Sequence, residues 1–174
     1  MGSVLPRVVG IDPGQNGGAV EVAPDGETVL GVQRWAKCKR PPAMTLVLPG
    51  TLVVLEQQHV GGPHASLVLA TWCGVLMGQL PGAVEIDLDE PDWSSVPPNG
   101  IAVIRPLATT WRAKVFRDGR LSRDAAKRLA LAAATPRLHA FDPAAAISHD
   151  VAEGWCLARF GTFWLRAHPA RVAA

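Results

Sequence analysis

Short apolar runs separated by turn-forming residues dominate the first third of the chain. Arg7–Asp12 is mostly apolar, ends in a carboxylate and is followed by Pro-Gly, which is typical of a buried strand entering a turn. Residues 17–23 and 28–33 predict two more strands around a Pro-Asp-Gly turn. After a polar connection, residues 51–56 (TLVVLE) predict a fourth strand that again ends in an acid.

The second half of the chain has the pattern of helices around one short strand. Residues 65–80 have helical length and few polar groups, which indicates a buried or interface helix. Residues 81–100 are rich in Pro, Gly and acid, and only 83–88 is strand-like. A strand is expected at 101–104, and helices are expected at 109–116, from the N-cap Ser122 through Ala134, and at 149–165 after the N-cap Ser148.

This order of elements predicts an α/β fold of the ribonuclease H-like type. We expect a mixed five-stranded sheet in the order 3-2-1-4-5, flanked by helices, in a single domain over residues 1–174. In that arrangement the fourth strand lies parallel to the first and beside it, so their carboxyl ends meet. Asp12 and Glu56 are therefore expected to be neighbours.

Composition narrows the class of protein. With 174 residues, 48% hydrophobic and 18% charged, the chain can form one domain with a substantial core. Its three cysteines, Cys38, Cys73 and Cys156, are far apart, so neither a disulfide framework nor a zinc knuckle is indicated. The chain has no signal-like or membrane-spanning apolar run, so we expect a cytoplasmic protein without a membrane partner.

Charge is distributed unevenly, although the formal net charge is only +2. Residues 85–92 are strongly acidic, and the prolines around them suggest a surface excursion. A basic segment can bind along the phosphates of a nucleic acid. The alternative explanation of such a segment is a solvent-exposed face of a helix and a turn. The basic segment at 112–128 contains Arg112, Lys114, Arg117, Arg120, Arg123, Lys127 and Arg128.

Three motifs resemble those of the RuvC-type Holliday junction resolvase family. The sequence VGIDPG at 9–14, with GGA at 17–19, resembles the first motif, and VLEQ at 54–57 resembles the second. The sequence DVAEGWCLA at 150–158 resembles the family's D-x-A-D-A-x-x-x-A helix, from which it departs at Glu153 and Gly154. The motifs occur in the family's order, and the resemblance spans nearly the whole chain.

The resemblance implies a metal-dependent active site. Its catalytic and metal-binding carboxylates would be Asp12, Glu56, Asp150 and Glu153, with two Mg²⁺ per site and Mn²⁺ as a substitute. Hard oxygen ligands suit Mg²⁺. Two such metal ions about 4 Å apart can activate a water molecule and stabilise the leaving oxygen. Four converging carboxylates would raise one another's pKa and demand a cation.

Each acid also has an ordinary structural explanation. An Asp before Pro-Gly is common in turns, a Glu at the end of a strand can simply meet solvent, and acids in the first turn of a helix stabilise its N-terminus. We expect Gly17 and Gly18 to let a phosphate backbone approach closely.

The resemblance further implies contacts with branched DNA. Arg112 and Lys114 resemble the basic positions after the family's late strand, and Arg120 and Arg123 continue the basic segment. His59 occupies the region where family members carry a wedge for the junction centre, and a polar loop histidine is the alternative.

The implied function is that of an endodeoxyribonuclease that resolves four-way junctions with symmetric paired cuts. Two symmetric cuts need two sites, so we expect a homodimer through the 65–80 helix, whose apolar residues include Trp72, Leu76 and Met77. Packing of this helix on the sheet is the alternative. Two rival functions remain open: a ribonuclease H-like nuclease acting on RNA or another branched DNA, and a catalytically silent junction-binding protein.

Overall fold

A computed structural model describes residues 7–57 and 63–169, with the backbone alone for residues 63–69. Within these ranges it contains one sheet, four α-helices and a short 3-10 turn at Trp93–Ser95. The strands are β1 Arg7–Asp12, β2 Gly17–Val22, β3 Val29–Trp35, β4 Thr51–Leu55, β5 Ala83–Glu85 and β6 Ile101–Ile104. The helices are α1 Pro63–Gly78, α2 Ala108–Phe116, α3 Arg123–Phe141 and α4 His149–Ala167.

The sheet has the order β3-β2-β1-β4-β6-β5. The meander β1-β2-β3 is antiparallel, whereas β4 pairs in parallel with β1 and β6, and β5 pairs in parallel with β6. The predicted ribonuclease H-like sheet is confirmed in this order, with β6 as the fifth strand of the prediction. Strand β5, which pairs with β6 at the edge of the sheet, is the additional strand. It was not predicted as part of the sheet, because only three residues of an acidic, proline-rich segment form it.

Alternate residues of the central strands face two apolar layers, as strand geometry requires. Val8, Leu52 and Val54 pack towards α4, and Val9 and Val53 pack towards α1. Both faces of β1 and β4 are therefore covered.

Helix α4 lies directly against β1. A Cβ atom on Gly10 would come within 2.2 Å of the Ala158 nitrogen and of the Gly154 oxygen, so a residue with a side chain cannot occupy this position without displacing the helix. Further towards its N-terminus, α4 approaches β2, where a Cβ on Gly18 would lie 2.8 Å from the Val151 Cα. This contact brings the first turn of α4 to the carboxyl end of β1.

Helix α3 is longer than predicted. It extends from Arg123 to Phe141, seven residues beyond the predicted end, and passes through Pro136. A proline within a helix removes one backbone hydrogen bond, but Leu138 is buried one turn after Ala134 and continues the apolar face of the helix. Packing of that face therefore outweighs the local preference to stop.

The acidic excursion forms turns that its own acids stabilise. Asp87 accepts hydrogen bonds from the backbone of Asp89 and Glu90, and Asp92 accepts two from Ser94, one from its backbone nitrogen and one from its hydroxyl. These bonds lower the pKa of Asp87, and the Ser94 side chain is the main cause of the lowered pKa of Asp92. No helix in the described ranges is long and apolar enough to cross a membrane.

Candidate active site

Two carboxylates lie at adjacent strand ends. Asp12 is the last residue of β1, and Glu56 directly follows β4. The parallel register pairs Ile11 with Leu55, and the Glu56 backbone nitrogen donates to the Ile11 oxygen over 3.4 Å. The prediction that Asp12 and Glu56 are neighbours is confirmed by this register.

The other two carboxylates lie in the first turn and a half of α4. Ser148 caps this helix, since its hydroxyl accepts a hydrogen bond from the Val151 nitrogen over 3.3 Å, as the sequence predicted. Glu153 follows Asp150 by three residues, so both lie on one side of the helix. Helix α4 thereby presents two acids to the strand end that carries Asp12.

Burial and mutual repulsion shift the titration of this cluster. The pKa of Asp12 is raised well above its usual value, first because the side chain is buried (8% exposed) and then because Glu153, Glu56 and Asp150 are nearby. The pKa of Glu153 is also raised, by burial first and by Glu56 next. Asp12 is therefore within electrostatic range of all three other carboxylates, and Glu153 is within range of Glu56 and Asp150.

Two cations face the same cluster. Arg112 on α2 places its Nη2 atom 3.6 Å from the Glu153 Oε1 atom, and its side chain is only 15% exposed. Lys127 on α3 lowers the pKa of both Asp12 and Glu153. The sequence placed Lys127 in the basic segment but not at the site. The one feature that could have indicated its place at the site is its position next to Ala126, which belongs to the buried face of α3.

A tryptophan contacts Glu56. The Trp111 indole Nε1 donates a hydrogen bond to the Glu56 Oε1 atom over 3.0 Å, and the ring is fully buried. Trp111 is therefore a core residue that also reaches the site. Its bond to a carboxylate 55 residues away could not be inferred from local sequence.

The other predicted DNA-contacting residues lie away from the carboxylates. Lys114, Arg120 and Arg123 have exposed side chains on α2, on the turn after it and at the start of α3. His59 lies outside the described residues.

The glycines after Asp12 lie in close contact with the protein's own side chains and backbone. A Cβ on Gly17 would lie 2.4 Å from the Trp35 ring, and one on Gly18 would meet the backbone of α4. Their missing side chains make room for the protein's own packing, so close approach of a phosphate is not needed to explain them.

The donor set suits a hard divalent cation. Four carboxylates supply oxygen ligands, and burial, followed by repulsion from neighbouring acids, raises the pKa values of Asp12 and Glu153. Within the described ranges, however, no three acidic, histidine or cysteine side chains converge closely enough to form a ready-made ion site.

Comparison with known proteins supports the fold. No protein family model matches the chain, and no curated protein matches it. Among solved structures 17 chains match. One is a structure of Thermus thermophilus RuvC, at 18% identity and a TM-score of 0.59, covering 94% of this chain and 98% of that one. Another is T. thermophilus RuvC in complex with a Holliday junction substrate, at 15% identity, a TM-score of 0.56 and the same coverage. The chain has the fold of RuvC.

We expect Asp12→Asn to raise the melting temperature of the metal-free protein at pH 8. An acid whose pKa is higher in the folded protein takes up protons on folding, so the free energy of unfolding falls as pH rises from the unfolded pKa, about 4, to the folded value. Removing the charge also removes repulsion from Glu56, Asp150 and Glu153, which exceeds the attraction of Lys127. A gain of several degrees is expected, since 1 kcal/mol corresponds to roughly 2–4 °C in a chain of this size.

Thermal unfolding in EDTA at pH 8 and pH 4 measures this effect, which should shrink at the lower pH. Asp25→Asn is the control, and the opposite change in melting temperature is expected for it. Hydrogen bonds, chiefly from the Thr28 side chain, lower the pKa of Asp25, so its neutralisation should destabilise the protein at pH 8. A lower melting temperature for Asp12→Asn at pH 8 would contradict the prediction.

Proposed function

We propose that this chain is a metal-dependent endodeoxyribonuclease that resolves four-way DNA junctions. The observation that carries the proposal is that Asp12, at the end of β1, lies within electrostatic range of Glu56, which follows β4, and of Asp150 and Glu153 on α4, with raised pKa values at Asp12 and Glu153. The RuvC fold supports it, because one similar RuvC structure contains a Holliday junction substrate. Of the rival functions, a silent junction-binding protein would have no need of a buried, mutually repelling acid cluster.

Each side chain at the site has a proposed role. Asp12, Glu56, Asp150 and Glu153 would hold two Mg²⁺, and Asp12 is the acid whose pKa all three others raise. When bound, such ions activate water and stabilise the leaving oxygen in phosphodiester hydrolysis. Arg112 and Lys127 bring positive charge to the edge of the cluster, where a backbone phosphate would bind.

We expect Asp150→Asn to abolish junction cutting while junction binding survives. The carboxylates hold ions and not DNA in this proposal, and loss of several kcal/mol of transition-state stabilisation corresponds to about a 10³-fold or larger fall in rate. Cleavage of a synthetic four-way junction is measured in Mg²⁺ and in EDTA, and binding is measured by gel shift without Mg²⁺. Asp89→Asn, at an exposed acid of the surface excursion, is the control and should cut normally.

Substrate variants separate the rival activities in the same assay. A nuclease of the proposed kind cuts the four-way junction in preference to duplex DNA and to an RNA–DNA hybrid of the same sequence. Preference for the hybrid would favour the ribonuclease H-like alternative. Absence of cutting by the folded wild-type protein in both Mg²⁺ and Mn²⁺ would favour the silent binder.

Junction affinity should depend on salt through exposed basic residues. Lys114, Arg120 and Arg123 have no role in the acid cluster, so they can neutralise phosphates. Each Ala substitution that removes one phosphate contact should lower the slope of log K against log salt by about 0.9. Arg112→Ala should slow cutting more than it weakens binding, because Arg112 faces Glu153.

Fluorescence anisotropy over a salt series measures these slopes. The control is Arg166→Ala, which lies near the other end of α4, roughly 24 Å from Asp150 along the helix axis, and should leave the slope unchanged. Unchanged slopes at Lys114, Arg120 and Arg123 would show that the segment is only a solvated face.

The proposed dimer uses the outer face of α1. Trp72 and Leu76 pack in the protein's own core, so they cannot form the interface. The outward face consists of small residues around Val75, and a Cβ added to Gly74 or Gly78 would meet nothing within 4 Å. This face is smooth enough for two copies of α1 to approach closely.

We therefore expect the wild-type protein to sediment as a dimer and Gly74→Glu to sediment as a monomer. The substituted side chain has free space in the isolated chain, so circular dichroism and the melting temperature of a dilute sample should be retained. In an interface, by contrast, it would place two like charges together. A wild-type protein that stays monomeric on a junction, or a Gly74→Glu variant that stays dimeric, would contradict the proposal.

A further inference from the structure

Helix α2 brings two consecutive side chains to two different carboxylates of the site. Trp111 donates a hydrogen bond to Glu56, which follows β4, and Arg112 forms an ion pair with Glu153 of α4. Successive helix residues point about 100° apart, so one turn of α2 can reach both acids. The Arg112 guanidinium also lies over the Trp111 ring, 5.1 Å from its centroid.

The sheet fixes where α2 begins relative to Glu56. The Gln57 nitrogen donates to the Pro106 oxygen over 2.9 Å, and Gln57 forms a parallel bridge with Leu107. Leu107 is the residue directly before α2. Backbone pairing therefore holds the start of α2 beside Glu56, and Trp111 follows one turn later.

We propose that Trp111 is a positioning residue, whose indole N–H fixes the Glu56 carboxylate in the orientation that binds a divalent cation. The inference rests on the proposed function, since it concerns the same metal site. Groups that hydrogen-bond to metal ligands orient them, and their loss typically weakens metal binding about 10- to 100-fold. An indole N–H is a neutral donor, so it holds the carboxylate without reducing the negative charge that attracts the ion.

The chain contains a closely matched control at Trp155. Like Trp111, this residue is fully buried, and the Arg159 guanidinium lies 5.2 Å from its ring centroid. Unlike Trp111, its Nε1 atom has no hydrogen-bond partner among the described residues. Replacement by Phe removes the same atoms at both positions, but only at Trp111 does it remove a bond to a carboxylate.

The test is calorimetric titration of Mn²⁺ into the folded, DNA-free wild-type protein and the Trp111→Phe and Trp155→Phe variants. We expect the dissociation constant to rise about 10-fold or more in Trp111→Phe and to stay near the wild-type value in Trp155→Phe. Both variants should lose stability, so the melting temperature does not distinguish them while the ion affinity does.

Equal ion affinities in the two variants would overturn the role of Trp111 and leave the proposed nuclease site intact. A wild-type protein that binds no ion would overturn both. If Trp111→Phe fails to fold, the indole N–H resonances of the wild-type protein decide the matter. Mg²⁺, which is diamagnetic, replaces Mn²⁺ in this measurement. The Trp111 resonance should shift as Mg²⁺ is added, and the Trp155 resonance should not. A Trp111 resonance that does not move would overturn the inference.

Discussion

The close packing of α4 on β1 is the contact on which the candidate site depends. Gly10 has no side chain, so the backbone of α4 reaches the strand at Gly154 and Ala158. From this contact Asp12 is two residues further along the strand, about 6.6 Å. Asp150 is four residues before Gly154 in the helix, about 6 Å. The strand and the helix therefore bring their acids to the same level at the end of the sheet.

Placing these acids together works against the stability of the metal-free protein. Asp12 and Glu153 are buried and repel their neighbours, which is why their pKa values are raised. The N-terminus of α4 offsets part of this cost for Asp150, since a helix dipole favours negative charge there. Arg112 and Lys127 offset another part but come from outside the cluster, so a net negative site remains.

The sequence predicts those parts of the site that follow from strand and helix patterns. Asp12 and Glu56 could be placed because each ends an apolar run, and the order of elements made the two strands neighbours. Asp150 and Glu153 could be placed because Ser148 signals the start of a helix. Lys127 and the bond from Trp111 to Glu56 could not be predicted, since both depend on how α2 and α3 pack against distant elements. Gly17 and Gly18 were assigned to a phosphate because the sequence does not reveal that Trp35 and α4 occupy the space beside them.

Helix α2 shows how one element can adjust both charge and orientation at a cluster of acids. It gives Glu153 a charged partner, Arg112, and donates a neutral hydrogen bond from Trp111 to Glu56. Since the Arg112 guanidinium lies over the Trp111 ring, the two partners also constrain each other. The indole of Trp111 thus links the orientation of one carboxylate to the charge beside another.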